Sequence, residues 1–196
     1  MFIFLLSSIV TSQFVTYGSA VQLKGLFTKN RITIEINQTS LLPVINCKRP
    51  PYNDGWYWVI EPANGTQEVT RKPIICGEDI TLHNPLFSYY ITSGERSQGT
   101  ITATKLMNQE GKSHWKVICD QRTKYWEQDK AVQFYNVKEK CYLQSGFNSI
   151  TNEVENQIYE VKCAKKFSKE TQWRSSEGIY LDNEPISEMY AKSPRN

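Results

Sequence analysis

The amino-acid sequence predicts an all-β fold in which one structural repeat occurs three times. Three observations support this prediction: apolar residues that alternate with polar ones, turn-forming residues at hairpin spacing, and tryptophans at regular intervals. The chain has 196 residues, of which 39% are hydrophobic, 22% charged and 12% aromatic. This length fits one domain or two small ones, and the chain is too apolar and aromatic to be disordered.

Alternation of apolar and polar residues marks the start of each repeat. The alternating pairs are Val21 and Leu23, Ile80 and Leu82, and Val132 and Phe134. Because successive side chains of a strand point to opposite faces, residues two apart share a face, and the pattern predicts strands. Turn-forming residues then interrupt the apolar segments at hairpin spacing, namely Asn84-Pro85, Gly94, Gly99, Gly111 and Gly146.

Two later landmarks follow each leading pair in the same order, and the first of them has a fixed offset. Eleven residues after Val21, Ile80 and Val132 stand Ile32, Ile91 and Leu143, and each repeat then reaches a tryptophan, which is Trp58, Trp115 or Trp173. Three copies around a pseudo-threefold axis would close a barrel and hide the strand edges of each copy. The sequence therefore predicts a β-trefoil with repeats at about 15–70, 71–126 and 127–182, and a three-bladed or sandwich arrangement is the alternative.

The N-terminal residues are typical of a secretory signal. Met1–Val10 have no charged side chain and are too short to span a membrane, so we expect a signal peptide at residues 1–12, with a buried first strand as the alternative. Asn37 and Asn64 begin Asn-x-Thr acceptors for N-glycosylation. Five cysteines fit an oxidising compartment. We therefore expect passage into the secretory pathway, no membrane span, and a polar C-terminal tail at 183–196.

Charge and motifs argue against several classes of function. Lys plus Arg number 23 and Asp plus Glu number 20, so a protein that binds nucleic acid through phosphate contacts is not expected. His83 and His114 adjoin core residues on strands and should point away from the core, which leaves no base for a cysteine nucleophile. The sequence has no phosphate-loop, zinc or serine-hydrolase motif. We expect no enzymatic activity, no metal and no cofactor.

Longer segments resemble the stromal cell-derived factor 2 family. They are Val15–Leu23, Lys72–Leu82, Trp115–Cys119, Lys124–Phe134 and Trp173–Tyr180, and they span roughly residues 15–185 in the family's order. The resemblance implies three MIR repeats in a β-trefoil. It also implies a non-catalytic accessory of chaperone-assisted folding and quality control in the endoplasmic-reticulum (ER) lumen or secretory route. The implied partners are a luminal J-domain co-chaperone, the ER heat-shock chaperone and unfolded clients.

The chain departs from that family's pattern at several positions. Family members carry a leucine–histidine–serine element on the second strand of the repeats, whereas this chain has Ile32-Thr-Ile34, Ile91-Thr-Ser93 and Leu143-Gln-Ser145. A ligand role of that histidine is therefore not carried over. Cysteines expected at the positions of Tyr17 and Glu68 are also absent, as if a bridge in the first repeat were lost as a unit.

Five cysteines leave at least one without a partner inside the chain. In a trefoil the first and last strands of a repeat are neighbours, so Cys76 and Cys119 can meet the geometry of a disulfide. Cys141 and Cys163 lie within the third repeat and are expected to link its hairpin. Cys47 is then the free thiol, which we interpret as a small buried hydrophobe rather than a redox site.

Aromatic residues beside the repeat landmarks form the predicted binding surface, namely Trp56, Tyr57, Tyr89 and Tyr125. Exposed rings would stack on a sugar or anchor a peptide. The alternative function is therefore a secreted, carbohydrate-binding trefoil of the lectin type, although the Gln-x-Trp element of such lectins is absent. Protein O-mannosyl transfer is disfavoured, because the chain has neither membrane spans nor a catalytic acid motif. The basic residues from Lys162 to Lys169 follow several glutamates and are interpreted as a solvated hairpin.

Overall fold

The computed structural model describes residues 13–49, 54–65, 71–94, 99–107, 111–120, 122–149 and 157–181. The predicted signal peptide at 1–12, the predicted tail at 183–196, and Glu68 lie outside these described residues. None of the helices in the described part has the length and hydropathy needed to span a bilayer.

The described residues form twelve β-strands and two short 3-10 helices. The strands are β1 (Ala20–Gly25), β2 (Arg31–Ile36), β3 (Pro43–Lys48), β4 (Tyr57–Pro62), β5 (Asp79–Asn84), β6 (Tyr89–Ser93), β7 (Ile101–Thr104), β8 (Trp115–Cys119), β9 (Val132–Asn136), β10 (Cys141–Ser149), β11 (Ile158–Ala164) and β12 (Trp173–Ile179). The 3-10 helices are Asp54–Trp56 and Lys169–Thr171. The predicted all-β class is confirmed.

Half of these strands pair in a closed antiparallel sheet. β1 pairs with β4, β4 with β5, β5 with β8, β8 with β9, β9 with β12, and β12 again with β1. The other strands form three hairpins, β2–β3, β6–β7 and β10–β11. Each third of the described chain thus supplies two strands to the closed sheet and one hairpin, and closure leaves that sheet without edge strands.

Strand register accounts for the spacing of the repeated residues. The leading residue of each repeat lies directly opposite the tryptophan of the same repeat; the pairs are Val21 and Trp58, Ile80 and Trp115, and Val132 and Trp173. Two residues further along, each repeat pairs with the next one; these pairs are Ile60 and Leu82, Val117 and Phe134, and Ser175 and Leu23. The same cross-strand contacts therefore occur three times around the closed sheet.

Each repeated tryptophan is buried and held by one hydrogen bond. All three side chains are 0% exposed. Their Nε1–H groups donate to the backbone carbonyl at the eleven-residue landmark; the bonds are Trp58 to Ile32 (3.2 Å), Trp115 to Ile91 (3.0 Å) and Trp173 to Leu143 (2.8 Å). Because these carbonyls belong to β2, β6 and β10, each bond ties a hairpin to the closed sheet while satisfying a buried indole N–H.

Asparagines support the turn after the first strand of the second and third repeats. Asn84 Nδ2 donates to the carbonyl of Tyr57 at 3.0 Å, and Asn136 Nδ2 donates to the carbonyl of Lys112 at 2.8 Å. In the first repeat the same place is held by Gly25, where a Cβ atom would collide with the hydroxyl of Thr28. The threefold pattern is therefore kept in the backbone while the side chains that support it differ.

Tyr17 stands where the family pattern has a cysteine. Its side chain is buried, and its hydroxyl donates to Glu78 Oε2 at 2.8 Å. The same carboxylate oxygen accepts the backbone N–H of Ile75 at 3.2 Å. Burial, followed by the hydrogen bond to Glu78 and that residue's charge, raises the pKa of Tyr17 above its ordinary value. A hydrogen bond thus links the first repeat to the turn that opens the second.

We expect Trp115→Phe to lower the free energy of unfolding more than Trp126→Phe. Both side chains are 0% exposed, but Trp126 Nε1 has no hydrogen-bond partner in the described part of the chain, whereas Trp115 bonds to Ile91. The loss of ring volume is common to both variants, and the lost hydrogen bond adds about 1 kcal/mol. Urea denaturation followed by circular dichroism measures this difference, and equal losses would contradict it.

We expect Tyr17→Phe to be less stable than wild type at neutral pH and to approach it in alkali. The raised pKa means that the folded chain favours neutral Tyr17, so this stabilisation is complete below the ordinary value of 10.0 and is lost as the pH rises above it. The measurement is the urea midpoint of both chains from about pH 7 to pH 11. If the difference in urea midpoint between the two chains stays constant or widens in alkali, the neutral Tyr17 hydroxyl does not stabilise the fold in this way.

Candidate functional site

The aromatic residues predicted as a binding surface differ in exposure. Trp56 is only 1% exposed, so the prediction that it belongs to a binding surface is wrong. The reason is local packing, because Gly55 lies so close to the carbonyl of Ile34 that a Cβ atom has no room. This close approach places the 3-10 helix at Asp54–Trp56 directly against β2 and draws the indole inward.

The three predicted tyrosines remain at least partly accessible. Tyr57 is 39% exposed on β4. Tyr89 is half-buried against the core, with Lys105 Nζ 5.5 Å from the centre of its ring. Tyr125 is half-buried and packs on Phe14, with 5.2 Å between the ring centres. Each of the three rings thus has a different local environment, and their role in binding stays a prediction.

A polar groove lies in the third repeat, between the β10–β11 hairpin and the 3-10 helix at Lys169–Thr171. Its volume is about 310 Å³. The side chains and backbone that line it come from two strands and the following loop, and they are Gln144, Ser145, Gly146, Glu160, Lys162, Ser168 and Glu170. We call this feature the β10–β11 groove, and it is the candidate functional site.

The floor of the groove depends on two small residues of β10. Ser145 is buried, and its hydroxyl lies 2.7 Å from the hydroxyl of Thr28, which joins the third repeat to the first. At Gly146 a Cβ atom would lie 2.6 Å from the carbonyl oxygen of Glu160 on β11. This spacing requires glycine, because the two strands approach too closely at that point for any side chain.

The walls of the groove carry hydrogen-bonding groups of both kinds. Gln144 Nε2 lies 3.5 Å from the hydroxyl of Ser168, and Lys162 Nζ lies 2.8 Å from Glu160 Oε2. The hydrogen bond from Ser168 is the main cause that lowers the pKa of Glu170, which keeps this carboxylate ionised. The groove therefore offers an amide, two carboxylates, an ammonium group and hydroxyls to a polar ligand.

Two exposed phenyl rings flank the same region. Phe167, which directly precedes Ser168 of the groove, is 57% exposed, and Phe27 is 49% exposed. Lys169 Nζ lies 5.9 Å from the centre of the Phe27 ring. The backbone N–H of Leu26 also donates to the carbonyl of Gln172 at 2.8 Å, so the β1–β2 turn is fixed against the segment that carries the groove. Apolar rings thus border a polar recess.

Sequence reasoning missed this site, although two signals pointed to it. One is Leu143-Gln-Ser145, which departs from the family's element, and the other is the Lys162–Lys169 segment, whose mixed charges predict a solvated hairpin. Lys162 does form an exposed ion pair with Glu160, as a mixed hairpin predicts. Its neighbours nevertheless fold back beside β10 and form a concave surface.

The titratable residues considered for catalysis have other contacts. His83 Nδ1 lies 3.1 Å from Glu61 Oε1, and its ring stacks on Tyr90 with 4.5 Å between ring centres. His83 thus lies outside the core as predicted, but it is half-buried in this cluster. Cys47 is 0% exposed, and burial raises the pKa of its thiol to about 12. This favours our interpretation of Cys47 as a buried hydrophobe.

Both predicted disulfides are present. Cys76 is bonded to Cys119 with 5.6 Å between Cα atoms, and Cys141 is bonded to Cys163 with 5.3 Å between Cα atoms. The first joins residues 43 positions apart in the second repeat, and the second joins β10 to β11. The hairpin that bears the groove is therefore covalently linked across its two strands.

The chain is similar to one class of known proteins along most of its length. A stromal cell-derived factor 2-like protein of Arabidopsis thaliana is 24% identical over 183 residues, which are 89% of this chain and 82% of the relative. The crystal structure of the SDF2-like protein from the same plant matches with a TM-score of 0.75 and 22% identity, over 88% of this chain and 99% of that one. The resemblance to the stromal cell-derived factor 2 family is confirmed. No model of a protein family matches the chain.

Two further structures show the same fold at lower identity. The protein O-mannosyltransferase complex of S. cerevisiae, bound to its sugar donor, matches with a TM-score of 0.68 and 14% identity, over 95% of this chain and 30% of that one. The BEL β-trefoil matches with a TM-score of 0.58 and 11% identity, over 85% of this chain and 97% of that one. At these identities the likeness concerns the fold alone.

Proposed function

We propose that the chain is a β-trefoil of three MIR-type repeats and a non-catalytic binding module of the ER lumen or secretory route. In this proposal it is an accessory of chaperone-assisted folding and quality control. The supporting observation is similarity along the whole fold, since an SDF2-like relative and an SDF2-like structure match 89% and 88% of this chain. Two disulfides fit an oxidising lumen.

The proposed partner is a luminal J-domain co-chaperone, together with the ER heat-shock chaperone and unfolded clients. The closed sheet supplies a rigid base, and the β10–β11 groove with its two phenyl rings supplies the contact. Aromatic side chains at the border of a recess are typical anchors, because they bury a large area for little loss of conformational freedom. Phe27 and Phe167 are 49% and 57% exposed, so part of each ring surface would be buried by such a contact.

We expect the full chain, used as bait in a luminal extract, to recover a J-domain protein. The double variant Phe27→Ser/Phe167→Ser should recover several-fold less of it, because both apolar anchors are removed. Leu86→Ser is the matched control, since Leu86 is 56% exposed in the β5–β6 turn and does not line the groove. Repeated recovery of no J-domain protein by the wild-type chain would contradict the proposed function.

A second function, carbohydrate binding of the lectin type by a secreted protein, is favoured by the lining of the groove. Carboxylates and amides at the positions of Glu170, Glu160 and Gln144 are complementary to sugar hydroxyls, which both donate and accept hydrogen bonds. The phenyl rings at its border are suited to the apolar face of a pyranose. This function uses the polar floor and walls, whereas the partner contact above uses the apolar border.

We expect Gln144→Leu to weaken saccharide binding at least several-fold if the groove is a lectin site, because it removes an amide that both donates and accepts. Gln133→Leu is the control, since Gln133 is a half-buried glutamine on β9 outside the groove. A glycan array followed by titration of the strongest saccharide measures the effect. Absence of binding by wild type, or equal losses in both variants, would rule out the groove as a lectin site.

A further inference from the structure

Asn37 lies just after β2 in the loop that connects β2 to β3, and its side chain has a defined orientation. Its Oδ1 accepts the backbone N–H groups of Thr39 and Ser40, both at 2.9 Å. Within the described part of the chain, no hydrogen bond engages its Nδ2. Asn37 and Thr39 are both exposed. The amide nitrogen and the threonine of an Asn-x-Thr acceptor are thus presented to solvent together.

The residues that follow form an exposed apolar cluster, which we call the loop cluster. It consists of Leu41 (73% exposed), Leu42 (62%) and Val44 (39%). Leu41 has a φ of 57°, a left-handed conformation that large side chains rarely adopt. Single exposed apolar residues are common, but three within four positions, two in the loop and one at the start of β3, form a patch that favours contact with other proteins.

Asn37 and the loop cluster are neighbours across the loop. The backbone N–H of Asn37 donates to the carbonyl of Leu42 at 2.9 Å, and the N–H of Leu41 donates to the carbonyl of Asn37 at 2.8 Å. The first bond places Asn37 opposite Leu42, beside the last ladder pair of Ile36 and Pro43, and the second closes the turn between them. Residues opposite each other in a ladder have Cβ atoms about 4.5–5.5 Å apart. A group attached to the side chain of Asn37 therefore lies next to the side chain of Leu42.

We propose that Asn37 carries an N-linked glycan and that this glycan covers the loop cluster. The proposal rests on the proposed passage into the secretory pathway, where a lipid pyrophosphate-linked oligosaccharide is the glycosyl donor. A bond forms between Asn37 Nδ2 and the anomeric carbon of the first sugar, and the bond from that carbon to the pyrophosphate oxygen breaks. The lipid pyrophosphate leaves with the bonding electrons, and Nδ2 loses one proton.

Translation of the full chain with microsomes tests the modification. The expected result is a protease-protected chain with a mass increase that N-glycosidase removes. Asn64→Gln should keep the glycan on Asn37, Asn37→Gln and Thr39→Ala should lose it, and Thr39→Ser should retain it because the hydroxyl remains. A protected chain without a glycan on Asn37 overturns this inference alone. A chain that is not protected overturns the proposed location and this inference together.

Light scattering of the chain secreted from eukaryotic cells tests the covering of the loop cluster. Thr39→Ala removes the acceptor but keeps Asn37 and its hydrogen bonds to backbone N–H groups, so it separates the glycan from the loop's own structure. We expect this variant to show a several-fold larger dimer or oligomer fraction than wild type. Adding Leu41→Asn/Leu42→Ser should restore the monomer. Equal association of wild type and Thr39→Ala would overturn the covering role.

Discussion

The hydrogen bond from each buried tryptophan to a hairpin carbonyl is the interaction on which the rest of the structure depends. It sets the distance between a strand of the closed sheet and its hairpin, because the indole spans that gap and its Nε1–H must find an acceptor when buried. With Trp58, Trp115 and Trp173 in equivalent places, the same condition is met three times. The donor and acceptor are 26, 24 and 30 residues apart in the three repeats, so the bond is kept while the length of the intervening chain varies.

This constraint leaves other positions of each repeat free to change. The place held by Asn84 and Asn136 is taken by Gly25 in the first repeat, and Tyr17 uses a hydrogen bond to Glu78 where the family pattern has a cysteine. Neither substitution touches a tryptophan bond. The two disulfides likewise lie only in the second and third repeats, so the first depends on packing and on hydrogen bonds.

The sequence predicted the contacts that repeat and both disulfides, but not the groove, which combines distant segments. Alternation and tryptophan spacing were enough for the all-β class, because they report contacts made in every repeat. The groove instead combines β10, β11 and the loop before β12, and Phe27, more than a hundred residues away, lies beside Lys169 of that loop. No pattern within a short segment of sequence predicts that these distant residues lie together. The prediction that Trp56 belongs to a binding surface is wrong for a related reason. The burial of its side chain follows from the contact between Gly55 and Ile34, which lie far apart in the sequence.

Strand β10 carries both the acceptor of a tryptophan bond and part of the lining of the groove. Leu143 accepts the Trp173 bond, and the next side chain along β10 points to the other face and lines the groove. The equivalent residues of the first two repeats, Thr33 and Thr92, are 0% and 1% exposed. A change at Gln144 therefore alters what the groove can bind without disturbing the tryptophan bond, whereas a change at Thr33 or Thr92 alters the packing of its hairpin. A change in the groove and a change in hairpin packing are separable at Gln144 because, of the three equivalent positions, it is the one that is only partly buried.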